Sequence, residues 1–258
     1  MSRIRDLNKI KRHYTDVDNV EPYEKDLYDF SLEAIDLNVA GASVHFRNIE
    51  NAIVARIDQA DVVVGCVAWM TSEPILRALS RKIGASIILQ KEDFLRPDTN
   101  QDFANKTVLR DLYDSVVPVS LMEFEREIQV RGKSALIDAD GRMSLFSFRC
   151  IGHVKQPHEY AMPRMHHKFL VFCKYVDDCE CADPNFSPYV PYAIWTGSYN
   201  MTNNATCSLE NGIYIPSSDV ARLYYHEWEQ LIMVSEPLDW TSDYAEPELE
   251  INTLACIS

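Results

Sequence analysis

No run of apolar residues in this chain approaches the ~18 that a membrane-spanning helix needs. The opening stretch, MSRIRDLNKIKRHY, is basic but has no apolar centre of the kind a secretory leader carries. These two absences lead to the expectation of a soluble, intracellular, cytoplasmic protein. A disulfide framework is not expected either, because the 7 cysteines are odd in number and scattered along the chain. Those in VVVGCVAW and FSFRCIG sit in apolar runs, where cysteine serves as a small hydrophobe. There is no internal repeat and no low-complexity tract. Positive charge is also scarce: 25 Lys and Arg face 39 Asp and Glu, a net of −14. That balance argues against a general nucleic-acid coat protein, which is ordinarily basic. It leaves a nuclease open, because affinity follows the local field at the site.

The charge is uneven. The last stretch, SEPLDWTSDYAEPELEINTLACIS, carries acids and no Lys or Arg. Residues 123–168 hold Arg126, Arg131, Lys133, Arg142, Arg149, Lys155, Arg164 and Lys168 among several acids. They read equally well as a mixed surface or as a groove that follows phosphates.

With 258 residues, 47% of them hydrophobic, the chain suits one large domain or two small ones. Residues 1–42 read as a polar, partly helical N-terminal segment, with helical spacing through Tyr28, Leu32 and Ile35 in EPYEKDLYDFSLEAIDL. ASVHFR alternates as a short strand. NIENAIVARIDQA reads as a helix that buries Ile49, Ile53 and Ile57 behind an Asn48 N-cap. DVVVGCVAW is a continuous apolar run, the pattern of a strand covered on both faces. SEPILRALSRK is a helix with Pro74 in its first turn, and ASIILQK is the next strand. This alternation predicts an α/β fold. Further on come a helix in DFANKTVLRDLYDS, a short strand in VVPVSLM, and a hairpin or meander in 128–152 with DADG as its turn. The strands MHHKFLVF, YAIWTG and ENGIYI and a last helix, SDVARLYYHEWEQLIMV, complete the domain, taken as 43–235. Residues 236–258 form an acidic tail.

Candidate chemistry gathers in two stretches. In MHHKFLVF, strand alternation puts His166 and Lys168 on one side and His167 on the other. An imidazole beside an ammonium suits a phosphate: the ring attacks phosphorus and the cation holds a non-bridging oxygen. In WTGSYNMTNNATCSLENGIYI, Gly197 allows close backbone approach, while Ser198 and Asn200 supply hydrogen bonds. Glu210 sits just ahead of an apolar strand, where a carboxylate needs a partner; an imidazole would serve. Tyr199 and Trp195 can stack on a base or sugar or pack in the core. His153 and His158 precede the motif and read as surface residues. His226 and Trp228 read as structural. Cys173, Cys179 and Cys181 lack a fourth ligand in zinc spacing, so no metal is expected.

H-x-K, then G-S-x-N, then a glutamate at a strand start resembles the phospholipase D superfamily. VHFRNIENAIVARIDQADVVVGCVAWMTSEPILRAL is similar to the opening of its single-motif, nuclease-like members, and the likeness spans roughly 43–232. The resemblance implies a mixed β-sheet flanked by helices, with one catalytic motif per chain. It implies a phosphodiesterase that needs neither cofactor nor metal, most often a nuclease acting on DNA or RNA. His166 would be the nucleophile that forms a phosphohistidine, and Lys168 and Asn200 would bind the phosphoryl oxygens with support from Ser198. Glu210 would orient His166. A homodimer would supply the second histidine. The family's aspartate, five residues after the lysine, is here Cys173, which bears on whether activity is retained. The loop from 173 to 192 is longer than the family's hairpin and reads as a lid or a restriction on substrate. A phospholipid substrate, or a binding module that has lost its chemistry, are the alternatives.

Overall fold

The computed structural model describes residues 34–36, 41–91, 103–119, 128–130, 135–137, 143–153, 164–176, 188–238 and 249–251. The strands are β1 (Ala34–Asp36), β2 (Ser43–His45), β3 (Val62–Val67), β4 (Gly84–Gln90), β5 (Ile128–Val130), β6 (Ala135–Ile137), β7 (Met143–Leu145), β8 (Phe148–Ile151), β9 (Lys168–Tyr175), β10 (Tyr189–Gly197), β11 (Gly212–Ile215), β12 (Glu236–Pro237) and β13 (Leu249–Ile251). The helices are α1 (Ile49–Gln59), α2 (Glu73–Leu79), α3 (Phe103–Asp114) and α4 (Ser218–Met233). Nine strands make one mixed sheet, in the order β1-β2-β11-β10-β9-β3-β4-β8-β12. β3, β4 and β8 run parallel to one another, and β9, between β3 and β10, is antiparallel to both.

Strand parity divides the interior into two cores, as expected for side chains that alternate faces. On one face Val63, Val67, Ile87, Leu89, Leu170 and Phe172 pack against Ile49, Ile53 and Ile57 of α1 and Ile75 and Leu79 of α2. On the other, Val62, Val64, Phe169, Val171, Cys173 and Ile194 meet Ala221, Tyr225, Trp228 and Ile232 of α4. Every residue of β3 and β4 is buried, the signature of the unbroken apolar runs that predict them. The α/β expectation, with a mixed sheet flanked by helices, therefore matches the structure.

Some elements differ from expectation. Ala34–Asp36, read as the end of a helix, is a strand, because Ile35 pairs with Val44 of β2 and tertiary pairing outweighs local spacing. The VVPVSLM strand is reduced, among the described residues, to a bridge between Pro118 and Ala85; Pro118 has no N–H to extend the ladder. β6 and β7 form the expected hairpin, with the DADG turn outside the described residues, while β5 pairs with β13 instead of joining a meander. Asn48 stands at the head of α1 in the left-handed region, φ 51°, and its side chain makes no capping hydrogen bond. Ser72 and Ser217 do cap their helices, accepting from the N–H groups of Ile75 and Val220. The sheet reaches past 43–235 on both sides, through β1 and β12.

A buried ion pair closes the far edge of the sheet. Lys91, directly after β4, meets Glu236 of β12, and their side chains are 0% and 7% exposed. Removing the cation from such a pair leaves a buried carboxylate without it, a loss of about 3–5 kcal/mol. Lys91→Met should lower unfolding free energy by that amount in urea denaturation, and the Lys91→Met, Glu236→Met double variant should recover most of it.

Candidate active site

Antiparallel insertion of β9 gathers strand ends that are distant in sequence. The last residue of β3, Val67, pairs with the first of β9, Lys168. Phe169 pairs with Thr196 near the end of β10, and Gly197 pairs with Gly212 at the start of β11. The segments leaving β3, entering β9, leaving β10 and entering β11 thus meet at one end of the sheet. Backbone hydrogen bonds lock them: Ala68 N–H donates to His167 O at 3.0 Å, and the N–H groups of Thr71 and Ser72 donate to Met201 O at 2.8 and 2.9 Å.

The expected pairing of His166 with Lys168 is present. Lys168 Nζ lies 3.1 Å from His166 Nε2 and donates to His166 O at 3.2 Å. Burial, then the charges of Lys168, Arg164 and His167, hold the imidazole below its ordinary pKa, so it stays neutral and nucleophilic further into the acid range. Burial also lowers Lys168, while the charge of Glu210 works the other way. His167 points to the opposite face, where its Nε2 lies 3.3 Å from Glu227 of α4.

Ser198 and Glu210 form the second pair. The Ser198 hydroxyl donates to Glu210 and accepts the N–H of Asn211 at 3.0 Å. Gly197 permits this turn: a Cβ there would lie 2.3 Å from Asn211 O. The hydrogen-bonding contact of Glu210 is therefore with Ser198, where the sequence led to an expectation of His166; the His166 ring is set by Lys168 and by the edge of Trp69, with centroids 5.6 Å apart. Asn200 follows on the same turn, and its buried Oδ1 has no hydrogen-bond partner among the described residues. Trp195, 1% exposed, is a core residue, as is Trp228. Cys173 is fully buried in the core beneath α4, and burial drives its thiol pKa far up. Cys179, Cys181 and most of the 173–192 loop lie outside the described residues. Among the described residues, no cluster of three His, Cys, Asp or Glu could hold a metal, and no helix is long and apolar enough to cross a membrane.

Two residues at this end of the sheet have no counterpart in the motif. Trp69 stands beside the pair, its ring centroid 5.8 Å from Lys168 Nζ. Gln90, 1% exposed, holds the chain that leads into His166. Its Oε1 accepts the N–H of Met165 at 2.8 Å, and its Nε2 donates to Lys91 O and His153 O at 2.9 and 3.1 Å. Gly152 leaves the room, since a Cβ there would lie 2.5 Å from Gln90 Oε1. A glutamine ending an apolar strand run is the signal for such a clamp, because a buried amide must find partners.

No family model matches the sequence. The uncharacterized protein L381 of Acanthamoeba polyphaga mimivirus is 31% identical over 211 residues, which span 77% of this chain and 67% of that protein. The chain belongs to its family. Among solved structures the chain is similar to NucT from Helicobacter pylori, at 13% identity and a TM-score of 0.45, covering 76% of this chain and 98% of that one. It is also similar to Nuc from Salmonella typhimurium, a phospholipase D family member, at 15% identity and a TM-score of 0.40, covering 73% and 91%.

One titration and one hydrogen-exchange measurement check this site. Lys168→Met removes a cation beside His166, so the imidazole pKa should rise toward 6.5 in an NMR titration of the ring protons. Gln90→Leu keeps side-chain bulk but frees the Met165 N–H, whose hydrogen exchange should quicken by about tenfold or more, corresponding to about 1.4 kcal/mol or more of lost protection.

Proposed function

We propose that the protein is a phosphodiesterase of the phospholipase D type, a metal-independent nuclease that cleaves DNA or RNA at a homodimer interface. The observation that carries this reading is the neutral His166 ring held 3.1 Å from the Lys168 ammonium at the mouth of a buried strand. In this reading the His166 ring nitrogen attacks phosphorus and the bond to the leaving oxygen breaks. The two facing rings share one proton: His166 of a second copy carries it, gives it to that oxygen and is left neutral. The same second histidine then takes a proton from water, which attacks phosphorus and releases His166. Lys168 and Asn200 stabilise the charge that builds on the non-bridging oxygens. Ser198, fixed by Glu210, shapes the turn that carries Asn200.

The second reading is a phospholipid substrate. Phe46 and Leu209 are 41% and 48% exposed, and Leu209 adjoins Glu210. Two such side chains are a small apolar rim, which is why nucleic acid ranks first.

Labelled single-stranded DNA, duplex DNA and RNA, each incubated in excess EDTA, provide the test. The wild-type chain should cleave at least one, and His166→Ala should lower kcat by about three orders of magnitude or more. Cleavage of none of them transfers the assignment to phospholipid or to a binding module of the same fold. Cleavage that survives in the variant removes His166 from the chemistry.

A further inference from the structure

A concave feature adjoins the proposed phosphate site. It is a cleft of about 180 Å³ between the first turn of α1 and the 197–210 segment. Phe46, Arg47, Glu50, Tyr199, Ser208 and Glu210 are among the residues that line it. Glu210 joins the two places, because it faces the cleft and accepts from Ser198. Tyr199 does the same along the chain, sitting between Ser198 and Asn200. A group bonded to a phosphate at His166 and Lys168 therefore has this cleft as an adjacent space.

Tyr199 marks the cleft as built for a ligand. The residue is 3% exposed, yet its hydroxyl has no hydrogen-bond partner among the described residues. A buried, unsatisfied hydroxyl is costly unless something arrives to meet it. Burial and the charges of Glu50 and Glu210 hold its pKa far above the usual phenol value, so it keeps its proton.

Charge narrows the ligand. Two carboxylates in and around the cleft, Glu50 and Glu210, repel an anion, so the cleft is not a second phosphate site. The guanidinium of Arg47 and the positive end of the α1 dipole disfavour a cation. An uncharged group that donates hydrogen bonds remains. Glu50 accepts from Ser72 at 2.6 Å through Oε1 only, and a carboxylate has further lone pairs. In a nucleic acid, the unit bonded to the phosphate is the sugar, and the uncharged donor it carries is the ribose 2′-hydroxyl. The volume suits a sugar ring and not a base pair.

We propose that this cleft is a ribose subsite, in which the sugar esterified to the phosphate at His166 and Lys168 presents its 2′-hydroxyl to Tyr199, Glu50 and Glu210. The inference rests on the nuclease reading and deepens it: the favoured substrate is RNA.

The test separates the two ideas. Binding of adenosine 5′-monophosphate and adenosine 3′-monophosphate, each against its 2′-deoxy counterpart, is followed by NMR on the Tyr199 ring resonances and by calorimetry. At least one ribonucleotide should shift those resonances and bind about tenfold tighter than its deoxy analogue. Tyr199→Phe should lose most of that difference while melting at the same temperature or higher, because an unpaired buried hydroxyl has been removed. Equal binding of ribo and deoxy forms, or no shift of Tyr199, overturns the subsite. So does a Tyr199→Phe variant that keeps the full preference. Cleavage of DNA and RNA at equal rates, with equal binding, would leave the nuclease standing and remove the subsite. A ribose preference without cleavage of any strand would do the reverse.

Discussion

Pairing along both edges of β9 is the constraint on which the rest of the molecule depends. Val62 to Val67 of β3 match Cys173 to Lys168 without a break, and β10 pairs along the other edge. A slip of one residue would turn Leu170 and Phe172 out of one core and Phe169 and Val171 out of the other. With apolar layers on both faces, the register is set by the shape of the packing and by Lys168 and Lys174, which mark the two ends of the buried stretch. The polar residues 166–168 occupy a stretch where the chain enters the buried sheet and can still reach solvent. Their position follows from burial, and their chemistry follows from that position.

Electrostatics within the site then resolve locally, whatever the net charge of the chain. Burial and then the charge of Lys168 hold the His166 ring below its ordinary pKa, and the charge of Glu210 counters part of the loss of hydration that lowers the Lys168 ammonium pKa. Ser198 ties Glu210 to the turn after β10. A base, a cation, a carboxylate and a hydroxyl thus support one another across three strand ends.

The parts of the fold that were legible in the sequence are those in which one physical effect dominates. Continuous apolar runs marked β3 and β4, and four-residue spacing of Ile49, Ile53 and Ile57 marked α1, because burial on a fixed period leaves a clear trace. The gathering of His166, Lys168, Ser198 and Glu210 at one end of the sheet was legible because polar groups stand out beside apolar strand runs. Ile35 was misread, since its helical spacing is local and its pairing with Val44 is not. Gln90 and Trp69 were overlooked for a related reason. Each acts on a residue about 75 or about 97 positions away, and only the parallel pairing of β3 with β4 and the antiparallel pairing of β3 with β9 bring those distances to contact. The contact from Glu210 to His166 was inferred from a need for a partner, and Ser198 meets that need first.

The cysteine at position 173 is best understood through the same parity. It lies five residues after Lys168 on an unbroken strand, and an odd offset puts it on the opposite face of the sheet. That face is the apolar layer under α4, where Val171, Ile194 and Trp228 are its neighbours in the core. A carboxylate there would need a partner for its charge, whereas a thiol held neutral by burial needs none. A side chain at this offset faces away from the side of the sheet that carries His166 and Lys168, whatever its identity. Cysteine at this position is thus a matter of how the core beneath α4 is filled, on the face of the sheet opposite His166 and Lys168.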